Sequence, residues 1–498
     1  MVWDSGEDTT VTGIGNYWDG RTTGYGAAIP GTVNGWTNQV SPNLGPDDYV
    51  SNVDETFEGW TGGGSLKVEH RFNDLTLMAL SAYRKGQFRI NRDLDFSPQP
   101  QASLKLFQTD EQFSQEFQLS SAANSRLKWT TGLYYFNLKS AYPDILVDLS
   151  NSVNLIALTS KSTQRAKSVA AYAQGTYEIF DRTNLTLGGR YTQERRKEED
   201  SRTTVDFVGI PFLGIPPSTT LIVPPDSKFT DENFTYRVSL DHRFTEQLLA
   251  YASVNTGFKS GGYNTNNPGS PPFNPETLTA YEVGFKSDLL DQRLRVNLAG
   301  FYYDYKDMQV QRVATGALQI INGPKSRIYG VDADFTAVFS PEFSVTGGFA
   351  WLDTKFKNFE PPKGCPEGRL DPNGIVAIPV NENGNCSGNQ VPFAADFTGS
   401  LAANYTKDLG PGSLLMSANV YYNGGYFSGP DNVIKSDSYS LFNATLKWAA
   451  RAGYSVALEG RNLTDKRAFL GGGSQTNGTF TGGYVEPRRV SVVFEYQF

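Results

Sequence analysis

The sequence predicts an all-β fold, a transmembrane antiparallel up-and-down β-barrel, and three observations predict it. Apolar and polar residues alternate with period two in segment after segment from about residue 58 to Phe498. The connections between those segments alternate too, tight and then long. Finally, no run approaches the ~18–20 apolar residues of a transmembrane helix, although the chain holds 26 Tyr, 32 Phe and 50 Gly against 4 Met. Outer-membrane barrels keep short turns in the periplasm and long loops outside. A soluble sandwich has no reason to keep every second connection tight.

Residues 1–57, rich in Gly and Asn, read as an extracellular-loop-like segment with room for a strand remnant, because residue 58 begins a strand descending toward a periplasmic turn. The barrel wall is residues 58–498. Its strands fall near 58–72, 75–90, 111–121, 127–139, 164–180, 184–197, 231–244, 247–259, 277–289 and 293–306, then near 325–340, 343–357, 392–408, 413–427, 438–449, 453–465 and 487–498. Tight links such as Asn73-Asp74, Asn124-Ser125-Arg126, Asp181-Arg182-Thr183 and Asp291-Gln292 carry hairpin-turn residues. The last strand shows the pattern most cleanly: Val490, Val492, Phe494, Tyr496 and Phe498 alternate with Ser491, Glu495 and Gln497. Successive side chains of a strand point to opposite faces, so one face suits lipid and the other water. A barrel span needs roughly 9–11 tilted residues, and several segments are long enough to project beyond the bilayer. Trp60, Trp129, Trp351 and Trp448 near strand ends suit interfacial girdles.

A net charge of −8 argues against nucleic acid, for which a basic stripe is expected. Cys365 and Cys386 fall in one outer loop, and two thiols in an exported loop most simply form a disulfide, worth about 3 kcal/mol by loop closure. Asp371-Pro372-Asn373-Gly374 and Asn381-Glu382-Asn383-Gly384 in that loop read as turns, because calcium-loop spacing with its closing Glu is absent. No metal or cofactor is expected. The two histidines sit in echoing contexts, Glu69-His70-Arg71-Phe72 and Asp241-His242-Arg243-Phe244, each just before a periplasmic turn. Neither has a nucleophile or metal-ligand companion, and no nucleophile elbow, Walker loop or His-Glu-x-x-His occurs, so an enzyme is not expected. The run Glu194–Asp200, broken by three basic residues, reads as a solvated strand extension.

Several stretches resemble the barrel of TonB-dependent outer-membrane receptors: Tyr251 through Tyr263, Tyr281-Glu282-Val283-Gly284-Phe285-Lys286, Gly300 through Tyr305, Ile328-Tyr329-Gly330-Val331-Asp332, Gly460-Arg461-Asn462-Leu463-Thr464-Asp465-Lys466, and Glu486 through Phe498. The resemblance covers the chain from about residue 58 and is densest in the second half. It implies a Gram-negative outer-membrane location and energised uptake of a scarce, bulky nutrient, most often a ferric siderophore. It also implies a plug inside the barrel coupled to the TonB complex, and contact of the C-terminal strand ending in Phe498 with the outer-membrane barrel-assembly machinery. About 17 strands stand against the roughly 22 of such a wide barrel, and neither signal peptide, plug nor TonB box can be assigned. The expectation is an N-terminally truncated gene product, not itself competent for transport. For ligand contact, Trp36, Tyr142, Tyr263, Phe273, Phe359 and Phe427 suit enclosing a bulky substrate, and Arg84, Arg190 and Arg312 suit an anionic siderophore near the lumen mouth. The alternative is that the aromatics pack loop against loop and the arginines pair with lumen carboxylates. At the level of function, the alternatives are a passive channel and a non-transporting surface binding protein.

Overall fold

The computed structural model describes residues 2–4, 8–23, 27–28, 33–34, 39–40, 51–94, 98–151, 155–264, 270–314, 317–323, 325–359, 369–370, 377–378, 385–474 and 480–496. Among them, twenty strands join in one antiparallel sheet. In chain order these are β1 (Val2–Asp4), β2 (Thr9–Thr23), β3 (Thr56–Phe72), β4 (Leu75–Asp93), β5 (Ser103–Ser121), β6 (Leu127–Leu149), β7 (Ile156–Phe180), β8 (Thr183–Phe207), β9 (Ser218–Ile222) and β10 (Ser227–Thr245). The second half continues with β11 (Leu248–Lys259), β12 (Glu276–Leu289), β13 (Leu294–Lys306), β14 (Ser326–Val338), β15 (Phe343–Phe356), β16 (Phe397–Asp408), β17 (Gly412–Asn423), β18 (Tyr439–Ala450), β19 (Tyr454–Arg461) and β20 (Arg489–Tyr496). Each strand pairs with the next, except that β9 is a side branch on the outer end of β8, which itself pairs with β10.

All seventeen sequence-derived strands are present, and the wall reaches further toward the N-terminus than residue 58. β2 pairs with β3 in unbroken register from Thr9↔His70 to Thr23↔Thr56, inside the segment read as loop-like with a possible strand remnant. Its alternation is faint because Gly13 and Gly15 occupy the lipid-side row while Ile14 and Trp18 occupy the other. Strands β5 to β8 also run past their sequence-derived ends, for instance to Leu149 in β6 and Phe207 in β8. Outside the bilayer neither face meets hydrocarbon, so the apolar–polar period of two fades in stretches such as Ser160-Lys161-Ser162-Thr163-Gln164 even though the ladder continues across a bulge.

Directly opposed residues share a face, so the registers sort every side chain. One row runs Val238, Val254, Tyr281, Tyr302, Tyr329 across five strands. Val238, Tyr281 and Tyr302 there are exposed, as are Val490, Val492, Phe494 and Tyr496 on β20. A belt of this kind far exceeds the roughly 300–600 Å² apolar patch of an ordinary soluble monomer, and hydrocarbon is the solvent it fits. Trp129 and Trp448 stand on that face near tight turns, and Trp60 and Trp351 near the outer ends. The opposite face carries polar ladders, with Thr176 and Thr186 hydroxyls 2.8 Å apart and the Asn443 amide donating to Asn419 at 2.8 Å. Tight turns are sharpened by left-handed residues, Asn73 at φ 50° and Arg182 at φ 57°.

At the outer end, loops from the two sides of the sheet meet, because Ala27–Ala28 pairs antiparallel with Phe480–Tyr484. Among the described residues no pairing joins β20 to β1 or β2. Phe498 lies outside the described residues.

Candidate functional site

The inner wall carries a row of aromatic side chains, each given room by a glycine on the neighbouring strand. Tyr172 on β7 faces Gly132 on β6, and a Cβ at 132 would come within 2.5 Å of the tyrosine ring. Tyr251 on β11 faces Gly284 in the same way, where a Cβ would lie 2.8 Å from the tyrosine hydroxyl. Phe301 on β13 lies over Gly330 on β14 and stacks on Tyr303 at 4.7 Å. Both tyrosine hydroxyls donate to carboxylates, Tyr172 to Glu116 and Tyr251 to Glu282, each at 2.6 Å. The rings are thereby fixed flat against the wall.

Arg190 joins this row. Its guanidinium carbon lies 5.4 Å from the Tyr134 ring centre and 5.7 Å from that of Tyr172, and its Nε donates to Thr192 Oγ1 at 3.1 Å. Cation–π contact holds the guanidinium without neutralising it. The recess beside it, about 300 Å³, is lined by Glu116, Tyr172, Gln174, Arg190, Arg237 and Asn255. Arginine forks and aromatic faces at one place suit a planar or anionic guest.

Above this level the extensions of β7, β8 and β10 form the rim. Arg196 pairs with Glu194 at 2.6 Å, and Ser260 donates to the other Glu194 oxygen at 2.6 Å. Arg165 and Lys197 both bind Glu199, Lys197 at 2.7 Å, and these hydrogen bonds hold the Glu199 carboxyl below its ordinary range. Glu198 and Asp231 are pushed up, both chiefly by burial, with Glu194 adding to the effect on Asp231. The run 194–200 is thus a strand extension solvated on one side only: Arg195 and Asp200 are exposed, whereas Glu194 and Glu198 are buried. The covering comes from residues 260–264, where buried Tyr263 packs on Phe229 at 5.3 Å and burial raises its own pKa.

Of the sequence-derived contact residues, Arg84 and Arg190 stand on the inner face. Arg84 is exposed and donates to Asn16 at 3.4 Å. Tyr142 is half-buried in the outer part of β6. Tyr263, Phe273 and Phe359 are packing residues: Phe273 bridges Gly262 through paired backbone hydrogen bonds, and Phe359 is fully buried against Phe356 at 5.1 Å, in a cluster with Val310 and Cys386. Phe427 is half-buried with Lys435 Nζ 5.4 Å from its ring centre. Cys386 is disulfide-bonded. Cys365, Trp36 and the side chain of Arg312 lie outside the described residues. Sequence reasoning missed Tyr134, Tyr172 and Tyr251; for Tyr172 and Tyr251 the available signal was a Tyr at an inward position opposite a strand glycine, whereas Tyr134 faces Ala170 and Glu116.

The family described as TonB dependent receptor-like, beta-barrel, matches residues 2–463, and the chain belongs to that family. It is accordingly an outer-membrane barrel of the Gram-negative type. The chain is 24% identical to the pesticin receptor of Yersinia enterocolitica over 361 residues, covering 71% of this chain and 47% of that protein. It is 23% identical to a probable TonB-dependent siderophore receptor, PiuA, of Acinetobacter baumannii, covering 61% of this chain and 37% of that protein. The chain therefore spans less than half the length of these relatives. In fold it superposes on the crystal structure of the ferric yersiniabactin uptake receptor FyuA from Yersinia pestis with a TM-score of 0.77 at 18% identity, over 99% of this chain and 68% of that one.

Proposed function

We propose that this wall belongs to a receptor for energised import of a ferric siderophore, with TonB as the energy-coupling partner and no covalent chemistry of its own. Siderophore receptors recur among its relatives. The observation that carries the ligand class is the inner-wall constellation of Arg190 against Tyr134 and Tyr172, with Arg237 lining the same recess. A ferric chelate is bulky, often anionic and rich in flat faces, and this surface offers it fixed rings and a charged fork that forms no ion pair among the described residues.

The test is uptake of ⁵⁵Fe presented as a panel of ferric siderophores to cells that lack their own receptors and express the protein. Uptake of at least one chelate, abolished by a protonophore, supports the reading. Arg190→Ala is expected to weaken binding about tenfold, ~1.4 kcal/mol, with the barrel still assembled. Ion conductance in planar bilayers without energised uptake would replace this reading with a passive channel.

A further inference from the structure

The outer edge of the lipid-side face carries a group of cations that the receptor reading does not use. On β13, β14 and β15 that face holds only apolar, aromatic or glycine residues from Leu294 to Tyr302, from Ala337 to Tyr329 and from Phe343 to Trp351. Each stretch matches the roughly 9–11 residues of a barrel span, and each ends outward in a ring of the kind that marks an interface. The next lipid-side residues outward are charged. Asp304 opposes Arg327, and Arg327 opposes Lys355, while Lys306 ends β13 one step further out. Beyond β14 and β15 the pairing continues, because the Lys357 N–H donates to the Lys325 carbonyl at 2.8 Å. Lys325 and Lys357 lie two residues from Arg327 and Lys355, so the period of two keeps them on the same face.

Arg327 is already engaged, with Nη2 3.2 Å from Asp353 and its guanidinium carbon 4.9 Å from the Tyr329 ring centre. Lys306, Lys325, Lys355 and Lys357 are exposed, and none forms an ion pair among the described residues. Asp304 is the carboxylate left to them on these three strands, so positive charge is in excess here although the chain as a whole carries −8. Like charges directly opposed destabilise a ladder, and Arg327 with Lys355 and Lys325 with Lys357 are two such pairs. An anion lying against them relieves both. At the periplasmic ends of the same strands the lipid-side residues are Leu294, Ala337 and Phe343, so on these strands the cations stand at the outer leaflet only.

We propose that these four lysines bind the phosphate groups of the glycolipid that forms the outer leaflet. The cations begin two residues, roughly 7 Å along a strand, outward of Tyr302 and Tyr329, at the height where headgroups replace hydrocarbon. Acyl chains descending from that level run over Tyr302, Tyr329, Val331 and Phe349, which are lipid-side residues on the membrane side of the lysines. A soluble anion shares the phosphate chemistry but gains nothing from that apolar surface. The loops that carry Val310 and Phe359 leave the wall at these lysines, so a bound lipid steadies their bases. The site is independent of what the lumen transports.

The test measures initial rates of lysine acetylation, by mass spectrometry, on the full chain in phosphatidylcholine bilayers with and without bis-phosphorylated lipid A. Acetylation of Lys355 and Lys357 is expected to slow at least fivefold with lipid A, while Lys286, exposed on the inner face, stays unchanged. No slowing overturns the proposal, as does equal slowing by dephosphorylated lipid A, which would remove the phosphates from the contact. Equal slowing by phosphatidylglycerol, or by inorganic phosphate alone, would overturn it in favour of a general anion site. The triple variant Lys325→Gln, Lys355→Gln, Lys357→Gln is expected to retain at least fivefold less lipid A through detergent extraction; unchanged retention would also overturn it.

Discussion

The two halves of the wall build their outer mouths from different materials. The main-chain ladder strands β3 to β8 and β10 run 17 to 25 residues, and β11 to β20 run 8 to 14. Where strands are long, the rim is the sheet itself, continued into water and held by ladder hydrogen bonds and the Glu194–Glu199 charge network. Where they are short, the rim is loop, and loops need something to bury. Phe356, Phe359, Val310 and Cys386 supply it, with Met308, Ile321 and Val391 packed around them. A ladder fixes backbone at every residue, whereas a small apolar cluster holds a long loop at one point. The second kind of rim should therefore fail all at once and the first by degrees.

Phe359→Ala sharpens this contrast most. Emptying a fully buried phenylalanine site costs about 3–5 kcal/mol, and the loss should be confined to the loop it anchors. Hydrogen exchange on the assembled barrel should quicken at residues 354–359 and 385–391 and stay unchanged at 194–199. Equal quickening in both regions would mean that the two rims are one cooperative unit, and the contrast would be lost.

The lipid-facing half of the problem was legible because solvent dictates it. Val490, Val492, Phe494 and Tyr496 had to share a face, and so did Phe442, Ala444, Leu446 and Trp448, whatever the ligand. Strand β2 escaped because glycines replace side chains on its lipid row. The rim was illegible for another reason. Whether Glu194 is solvated depends on Ser260, 66 residues away, and whether Phe359 faces a ligand or a core depends on Phe356 and Cys386; no local pattern encodes such meetings. Arg190 could be named as a candidate, but its setting against Tyr134 and Tyr172 needed the register of three strands.

In the tall half, Glu199→Gln removes the negative charge shared by Arg165 and Lys197 and leaves one acceptor oxygen where each cation had its own. The side chain is 16% exposed and its partners are 43% and 41% exposed, so solvent screens the loss to about 1 kcal/mol. The wild-type carboxyl has a lowered pKa. Its stabilisation is complete above the ordinary carboxylate value and is lost as pH falls through the lowered one. Acid should therefore loosen the β7–β8 extension, and the Gln variant should start looser and respond less. A variant with wild-type exchange at 161–167 and 195–202 at neutral pH would show that the ladder alone holds this rim.

Asp231→Asn is the smallest change and runs in the opposite sense. One oxygen of Asp231 is buried without a hydrogen-bond partner, and burial, with Glu194 nearby, raises its pKa. A raised value means the folded rim takes up a proton more readily than the unfolded chain. The charged form is a penalty at neutral pH, relieved as pH falls through that raised value. Asparagine removes the charge permanently and offers an N–H toward Glu194. Amides at 227–234 should then exchange more slowly than wild type at neutral pH, and the difference should shrink in acid. Faster exchange in the variant would show that the aspartate charge supports this rim, and the ladder would no longer suffice to explain why the tall half tolerates buried carboxylates.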